Sequence, residues 1–284
     1  MQSDTGPLRV IRIYIEGIGL CGPGLNGWEA SRPVLAGTDD YEASPICVPA
    51  SMLLPANERR RAPQIVKIAL AIGAEAFAMA GRDPAGTAAV FASSGGDGDT
   101  IHEILHVLAS PNRELSPTRF HNSVHNAAAG YWSIATHSRA ASTSLCCYND
   151  SFAAGLLEAA VQAAATRESV ALIAYDVQYP SPLRDARPLA AAFGIALVLS
   201  PAPGAASIAC IELELRPGTL TSPASDSPPE LEWLRQGTPA ARSLPLLAAL
   251  ARREESSISL NYLDDMVLAL RITPLPASPN PRGA

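Results

Sequence analysis

The chain has 284 residues, of which 48% are hydrophobic and 17% charged, with a formal charge of −6. At ~150 residues per domain this makes one large domain or two modest ones, with enough core to exclude wholesale disorder. Lys67 is the sole lysine, and no basic surplus exists to release counterions, so nucleic-acid binding is excluded.

An acidic substrate would have to meet local arginines such as Arg59, Arg60 and Arg61. The five cysteines, Cys21, Cys47, Cys146, Cys147 and Cys210, are odd in number and two are adjacent, which fits reduced thiols in a reducing compartment. The polar stretch Met1 to Pro7 lacks the apolar run of a signal peptide. No segment reaches the ~18 uninterrupted apolar residues of a membrane span. These features predict a soluble cytoplasmic α/β protein.

In chain order, Leu8 to Ile18 alternates as a strand, and Gly17, Gly19, Gly22 and Gly24 are expected to force turns after it. A polar loop follows, and Leu53-Leu54-Pro55 leads towards a helix. Pro63 suits a first-turn position, and apolar residues recur at helical spacing from Gln64 to Ala80. Ala88 to Ala92 is a short strand running into the glycine-rich loop Ser93 to Asp99. Thr100 then opens a helix to Leu108, with Glu103 at capping-box spacing. Asn122 to Ala135 is a third helix, Thr143 to Cys147 a short strand or elbow, and Asp150 to Thr166 an Ala- and Leu-rich helix.

Val170 to Val177 and Ala190 to Ser200 are continuous apolar strands of the kind buried on both faces. Alternation of strands and helices up to residue 200 predicts a layered α/β structure with a mostly parallel sheet. Beyond it, Ser207 to Arg216 alternates as a half-exposed strand, Arg216 to Pro229 is a Pro/Ser-rich loop, and Ser243 to Arg253 is a helix. Ser257 to Tyr262 and Met266 to Ile272 read as a hairpin around Leu263-Asp264-Asp265, and the Pro-rich tail from Pro274 reads as frayed.

Three patterns carry candidate chemistry. His102-Glu103-Ile104-Leu105-His106 matches H-E-x-x-H, in which two histidines one turn apart share zinc and the glutamate acts as base. Its continuation, Val107 to Pro111, supplies no third ligand, so a helix-surface role is the competing reading. The loop Gly95-Gly96-Asp97-Gly98-Asp99 precedes a helix as phosphate cradles do, but its two aspartates repel phosphate and a tight turn is the expectation. Cys146 and Cys147 precede a helix N-terminus, where the dipole favours thiolate and a nucleophile for acyl transfer could stand. All five histidines, His102, His106, His121, His125 and His137, lie before these cysteines, so a base such as His125 would have to be brought in by the fold.

The segments Ile13 to Gly37, His121 to Cys147 and Asp185 to Ser200 resemble the opening strand and glycine turn, the helix leading to the nucleophile elbow, and the Arg-Pro-Phe segment of β-ketoacyl synthases. Phe120 to Ala127, continuing to Gly130-Tyr131-Trp132-Ser133, and Asn57 to Arg61 resemble the chain-length-factor-like partners of ketosynthases in aryl polyene (xanthomonadin-type) clusters. The resemblance implies a thiolase-like layered α/β fold (αβαβα), with a complete N-terminal half over residues 1–200, a shrunken C-terminal half over 201–273 and a tail over 274–284. It also implies a subunit that pairs with a catalytic β-ketoacyl synthase and shapes the tunnel for an acyl chain on a carrier protein. Val124, Asn126, Gly130, Tyr131, Trp132 and Tyr148 are its expected tunnel wall and interface. Cys146 or Cys147 is its vestigial or active nucleophile, and no cofactor or metal is expected. The full family carries two histidines in its second half, whereas Asp150 to Ala284 contains none. An active cysteine acyltransferase and a zinc protein are the alternative functions.

Overall fold

A computed structural model describes residues 10–49, 53–220, 228–263 and 265–276. Leu8, Arg9, residues 221–227 of the Pro/Ser-rich loop, Asp264 of the expected hairpin turn, and most of the tail lie outside the described residues. The elements, in order, are β1 (Ile11–Gly22), β2 (Leu25–Asn26), α1 (Trp28–Ala36), α2 (Ala56–Arg61), α3 (Gln64–Ala80), β3 (Ala88–Ala92), α4 (Gly98–Ala109), α5 (Pro117–Asn122), α6 (Ala127–Thr136) and β4 (Ser142–Leu145). There follow α7 (Ser151–Thr166), β5 (Val170–Asp176), α8 (Leu183–Ala186), β6 (Phe193–Ser200), β7 (Ala209–Pro217), α9 (Pro229–Gly237), α10 (Leu244–Arg252), β8 (Ser256–Tyr262) and β9 (Met266–Pro274).

One sheet runs β4-β3-β5-β6-β1-β7-β9-β8, with β2 hanging on β1. Among the described residues only β3–β4 and β3–β5 are parallel, and the other pairs are antiparallel. The expected mostly parallel sheet is therefore corrected to a mixed one. Helical crossovers serve only the β3, β4 and β5 group, while β6 returns beside β5 and β1 in the opposite sense.

The alternation of strand side chains divides the core. In β5, Val170, Leu172 and Ala174 join one cluster while Ala171, Ile173 and Tyr175 join the other; β6 divides in the same way. The first cluster packs beneath α7, α1, α9 and α10, the second beneath α3 and α6. Each fully buried large aliphatic side chain contributes about 1.5–3 kcal/mol.

The glycines of the opening strand do not break it. Gly17, Gly19 and Gly22 lie inside β1, and Gly24 alone among the four turns with a positive φ, of 65°. The cause is close approach by a helix: a Cβ on Gly17 would stand 2.0 Å from the Ala76 carbonyl oxygen, and one on Gly19 1.9 Å from that of Ile72. Bare backbone here lets α3 lie directly on the sheet. The expected helix bounds of α3 match, although Pro63 serves as its N-cap rather than its first helical residue.

Four helices, α1, α5, α8 and α9, escaped the sequence, and two of them show why. Trp28–Ala36 was hidden by Pro33 inside it, and its first N–H, on Trp28, donates at 2.6 Å to Glu75 of α3. Glu75 also accepts from the Leu20 N–H at 2.9 Å, and burial raises its pKa. The second is α9, hidden by the flanking prolines and by a mixed polar pattern. The expected helix over Asn122 to Ala135 begins only at Ala127, and Asn122 instead ends the separate α5. Ser and Asn favour local hydrogen bonds over continued helix, as Ser123 does in donating to the Phe120 carbonyl at 2.8 Å, and the Asn122 side chain is drawn off to donate to the Arg61 carbonyl at 3.0 Å. The hairpin is present as β8 and β9, with Tyr262 opposite Met266. Among the described residues no helix is long and apolar enough to cross a membrane.

Candidate functional site

The C-terminal ends of the parallel strands β3, β4 and β5 gather the loops that form the site. The ladder of β4 continues for one bond as the Ser93 N–H donates to the Leu145 carbonyl at 3.2 Å. Cys146 and Cys147 follow, and a short 3-10 turn over Tyr148–Asp150 leads into α7. The Ser151 hydroxyl locks this elbow: it accepts from the Cys147 N–H at 3.0 Å and donates to the Tyr148 carbonyl at 2.9 Å. At the turn Tyr148 alone enters the left-handed region, with φ 51°. A sharp strand-to-helix elbow of this kind presents the side chain at its tip, and here that side chain is a phenol, 59% exposed.

Arg187 holds it there. Its guanidinium carbon lies 3.5 Å from the centre of the Tyr148 ring, and its Nη1 donates to Asn149 Oδ1 at 2.8 Å. Such stacking is worth about 0.5–2 kcal/mol. The Nη2 of Arg187 is buried with no hydrogen-bond acceptor among the described residues.

Behind the elbow, Asp176 ends β5 wholly buried. Its Oδ1 accepts from the Ser94 N–H at 2.8 Å and its Oδ2 from the Ala240 N–H at 2.8 Å, tying the β3 loop and the C-terminal region to one carboxylate. Burial pushes its pKa up against those bonds. The glycine loop is a tight turn, as expected: Cβ atoms on Gly95 and Gly98 would strike the Tyr179 ring and hydroxyl. Its helix N-terminus is filled by the chain's own Asp97, which accepts from the Thr100 N–H. Asp97, not Thr100, is thus the cap, and the expected capping box is corrected by three positions.

The cysteines and histidine meet the same loop without meeting each other. Cys146 Sγ donates to the Ser94 carbonyl at 3.2 Å, and His125 Nε2 donates to the Ser93 carbonyl at 3.0 Å. No thiol–imidazole hydrogen bond occurs among the described residues. Burial, then Cys146 and the Asp150 carboxylate, push the Cys147 pKa up, against the thiolate expected from a helix N-terminus. An open cavity of about 840 Å³, lined by Cys146, Cys147, Tyr148, Asp150, Arg242 and Leu263 among others, fronts the elbow. It adjoins one of about 470 Å³ that shares Asp150, Leu220, Arg242 and Asn261.

Val124, Asn126 and Gly130 lie exposed on the turn before α6 and along it, while Tyr131 and Trp132 point inward. Tyr131 donates to Asn122 Oδ1 at 3.0 Å, and Trp132 packs on Phe77 with ring centres 5.5 Å apart. These two rings support the α6 face from beneath. Leu105, Leu108, Phe120, Val124 and Ile134 of α4, α5, α6 and the turn before α6 are exposed, and β4, at the end of the sheet, pairs with β3 alone among the described residues. The H-E-x-x-H glutamate, Glu103, is ion-paired with Arg119 at 2.7 Å. No group of three His, Cys, Asp or Glu side chains among the described residues could hold a metal ion.

Sequence reasoning missed the role of Asp176; it offered Asn149 and Ser151 only as helix caps and Arg187 only as part of the Arg-Pro-Phe segment. A lone acid closing the apolar run Val170–Asp176 was the one visible signal.

A layered α/β sheet with a strand–elbow–helix at the ends of its parallel strands is the architecture of thiolase-like condensing enzymes. The profile described as "Beta-ketoacyl synthase, N-terminal domain" matches residues 30–259, and the chain belongs to that family. Among curated proteins none matches. Of solved structures, a chain of the complex of a ketosynthase with its chain length factor from Xenorhabdus doucetiae is similar at TM-score 0.70 and 21% identity, covering 92% of this chain and 99% of that one. The ishigamide ketosynthase/chain length factor gives TM-score 0.70 at 14% identity over 93% and 99% of the two chains. A β-ketoacyl synthase from Burkholderia phymatum STM815 gives 0.68 at 12% over 94% and 100%.

Proposed function

We propose that the chain is a chain-length-factor-type subunit that pairs with a catalytic β-ketoacyl synthase and shapes the tunnel for a carrier-protein-bound acyl chain, of the polyene or fatty-acid-like kind. The observation that carries this reading is the elbow itself. Its tip is Tyr148, its thiols are not paired to an imidazole, and His125 is spent on a backbone carbonyl. A condensing scaffold without a base works by lending shape.

Support comes from the exposed apolar side chains of α4, α5 and α6 and from the position of β4 at the end of the sheet, paired with β3 alone among the described residues, both of which suit a protein partner. Val124, Asn126 and Gly130 belong to this interface, with Tyr131 and Trp132 bracing it. Similar folds solved as ketosynthase–chain length factor complexes agree with the reading, as does one solved as a ketosynthase with its acyl carrier protein. The five free cysteines suit a reducing cytoplasm. Residues 1–200 form the synthase-like half and 201–273 the reduced one.

Co-expression with a ketosynthase encoded beside it, followed by size-exclusion chromatography, tests the reading. A stable one-to-one complex that extends a malonyl-derived chain is expected. Condensation by the isolated chain, or acyl labelling lost on Cys146→Ser or Cys147→Ser, overturns it in favour of an active cysteine acyltransferase.

A further inference from the structure

We propose that Cys47 and Cys21 form an oxidation site: hydrogen peroxide attacks the exposed Cys47 thiol, and Cys21 captures the product as a disulfide that ties loop 38–49 to β1. Both thiols lie outside the elbow, and the site stands with or without a ketosynthase partner.

Loop 38–49 is held against the end of β1 at several points. The Tyr41 hydroxyl donates to the Pro23 carbonyl at 2.8 Å, and the Gly24 N–H donates to the Ser44 carbonyl at 3.1 Å. Ile46 and Val48, on either side of Cys47, pack half-buried against the core cluster beneath α3. Held this way, the Cys47 carbonyl accepts from Cys21 Sγ at 3.5 Å. The Cα of Cys47 is two bonds from that oxygen, so its side chain springs from the same point of contact, and a disulfide needs Cα atoms roughly 4–7 Å apart. Both cysteines also wall one cavity of about 260 Å³, with Leu20, Pro49, Ile72 and Glu75, which gives the Cys47 side chain room to turn inward.

Exposure sets the order of the steps. Cys47 faces solvent, whereas Cys21 is buried, and burial, with Cys47 and Glu75 close by, pushes the Cys21 thiol up to about 11. Peroxide therefore meets Cys47 first. The Cys47 sulfur attacks one peroxide oxygen, the O–O bond breaks, and the departing hydroxide leaves as water with the thiol's proton, so that Cys47 becomes a sulfenic acid. The Cys21 sulfur then attacks the Cys47 sulfur, the S–O bond breaks, and the hydroxyl leaves as a second water with the Cys21 proton. Two thiols give up two electrons and two protons, and one peroxide is reduced to two waters.

The full chain carrying Cys146→Ser, Cys147→Ser and Cys210→Ser is treated with hydrogen peroxide and mapped by mass spectrometry without reduction. The monomer should lose two hydrogens, and the peptides bearing Cys21 and Cys47 should be joined until dithiothreitol parts them. Adding Cys47→Ser, at an exposed position, should abolish the join. Adding Cys21→Ser should leave a sulfenic acid on Cys47 that dimedone traps. Should the triple variant fail to fold, the parent chain is mapped in the same way, and the same joined peptides are expected. The site is overturned if Cys47 in the folded chain ends as a dimedone adduct while Cys21 stays a thiol. A disulfide between two molecules, or oxidation confined to Cys146 and Cys147 in the parent chain, overturns it equally.

Discussion

The α3 side and the α4–α6 side of this molecule use apolar residues in opposite ways. Under α3, small residues remove bulk so that backbone meets backbone, and Ile65, Val66, Ile68, Ile72 and Phe77 are all buried. Across α4, α5 and α6, Leu105, Phe120 and Ile134 stand in solvent, while Tyr131 and Trp132 of α6 are turned inward and buried. Apolar periodicity looks alike in both. What separates them is whether a second surface is present in the same chain: the first side has one, and the proposed partner would supply it for the second.

The largest expected effect strikes the first side. Gly19→Ala places a methyl 1.9 Å from the Ile72 carbonyl and must part β1 from α3. A loss of about 3 kcal/mol or more is expected in urea unfolding, and a loss near zero would show that α3 has room to move.

Next is Asp176, whose removal in Asp176→Ala orphans the Ser94 and Ala240 N–H groups. The expected loss is about 2–4 kcal/mol. The pKa of this carboxyl is raised in the folded chain above its ordinary 3.8. Its contribution to stability is therefore complete below that value and is lost as pH rises through the folded pKa. Asp176→Asn should flatten this decline, as read from unfolding at acid pH and at about pH 7.

On the opposite side, Leu105→Ser with Phe120→Ser should change stability by no more than about 0.5 kcal/mol yet abolish co-elution with the ketosynthase. Unfolding of that double variant would place the α4–α5 face in the core and erase the contrast. The smallest effect is chemical: with its pKa raised from 9.0, Cys147 should react with iodoacetamide more slowly than a free thiol at neutral pH, its rate climbing only at higher pH.

Much of this was legible in the residues. The continuous apolar runs of β5 and β6, the period of α3 and the terminal hairpin all follow from local pattern. The direction of strand pairing did not, because alternation of strand and helix reports neighbours in sequence, whereas β1 pairs with strands far along the chain. Glycine was legible only as a breaker; its use as a seat for a helix needs the helix to be there. The cysteines drew attention to the correct elbow, but a backbone angle, not residue type, places Tyr148 at its tip. The roles of Arg187 and Asp176 could not be read because their partners lie on other elements, 39 and 82 positions away for the Tyr148 and Ser94 contacts.

The pairing of β1 has a consequence for how the protein is made. That strand, with Ile13, Ile15, Ile18 and Leu20 completely or almost completely buried, lies between β6 and β7, whose first residues are Phe193 and Ala209. At roughly 5–20 residues per second a ribosome needs roughly 10–40 s to travel from one to the others. Throughout that interval the nascent chain carries an unpaired, sticky ribbon. Its yield in a cell should thus depend on holdase chaperones during synthesis more steeply than its final stability suggests.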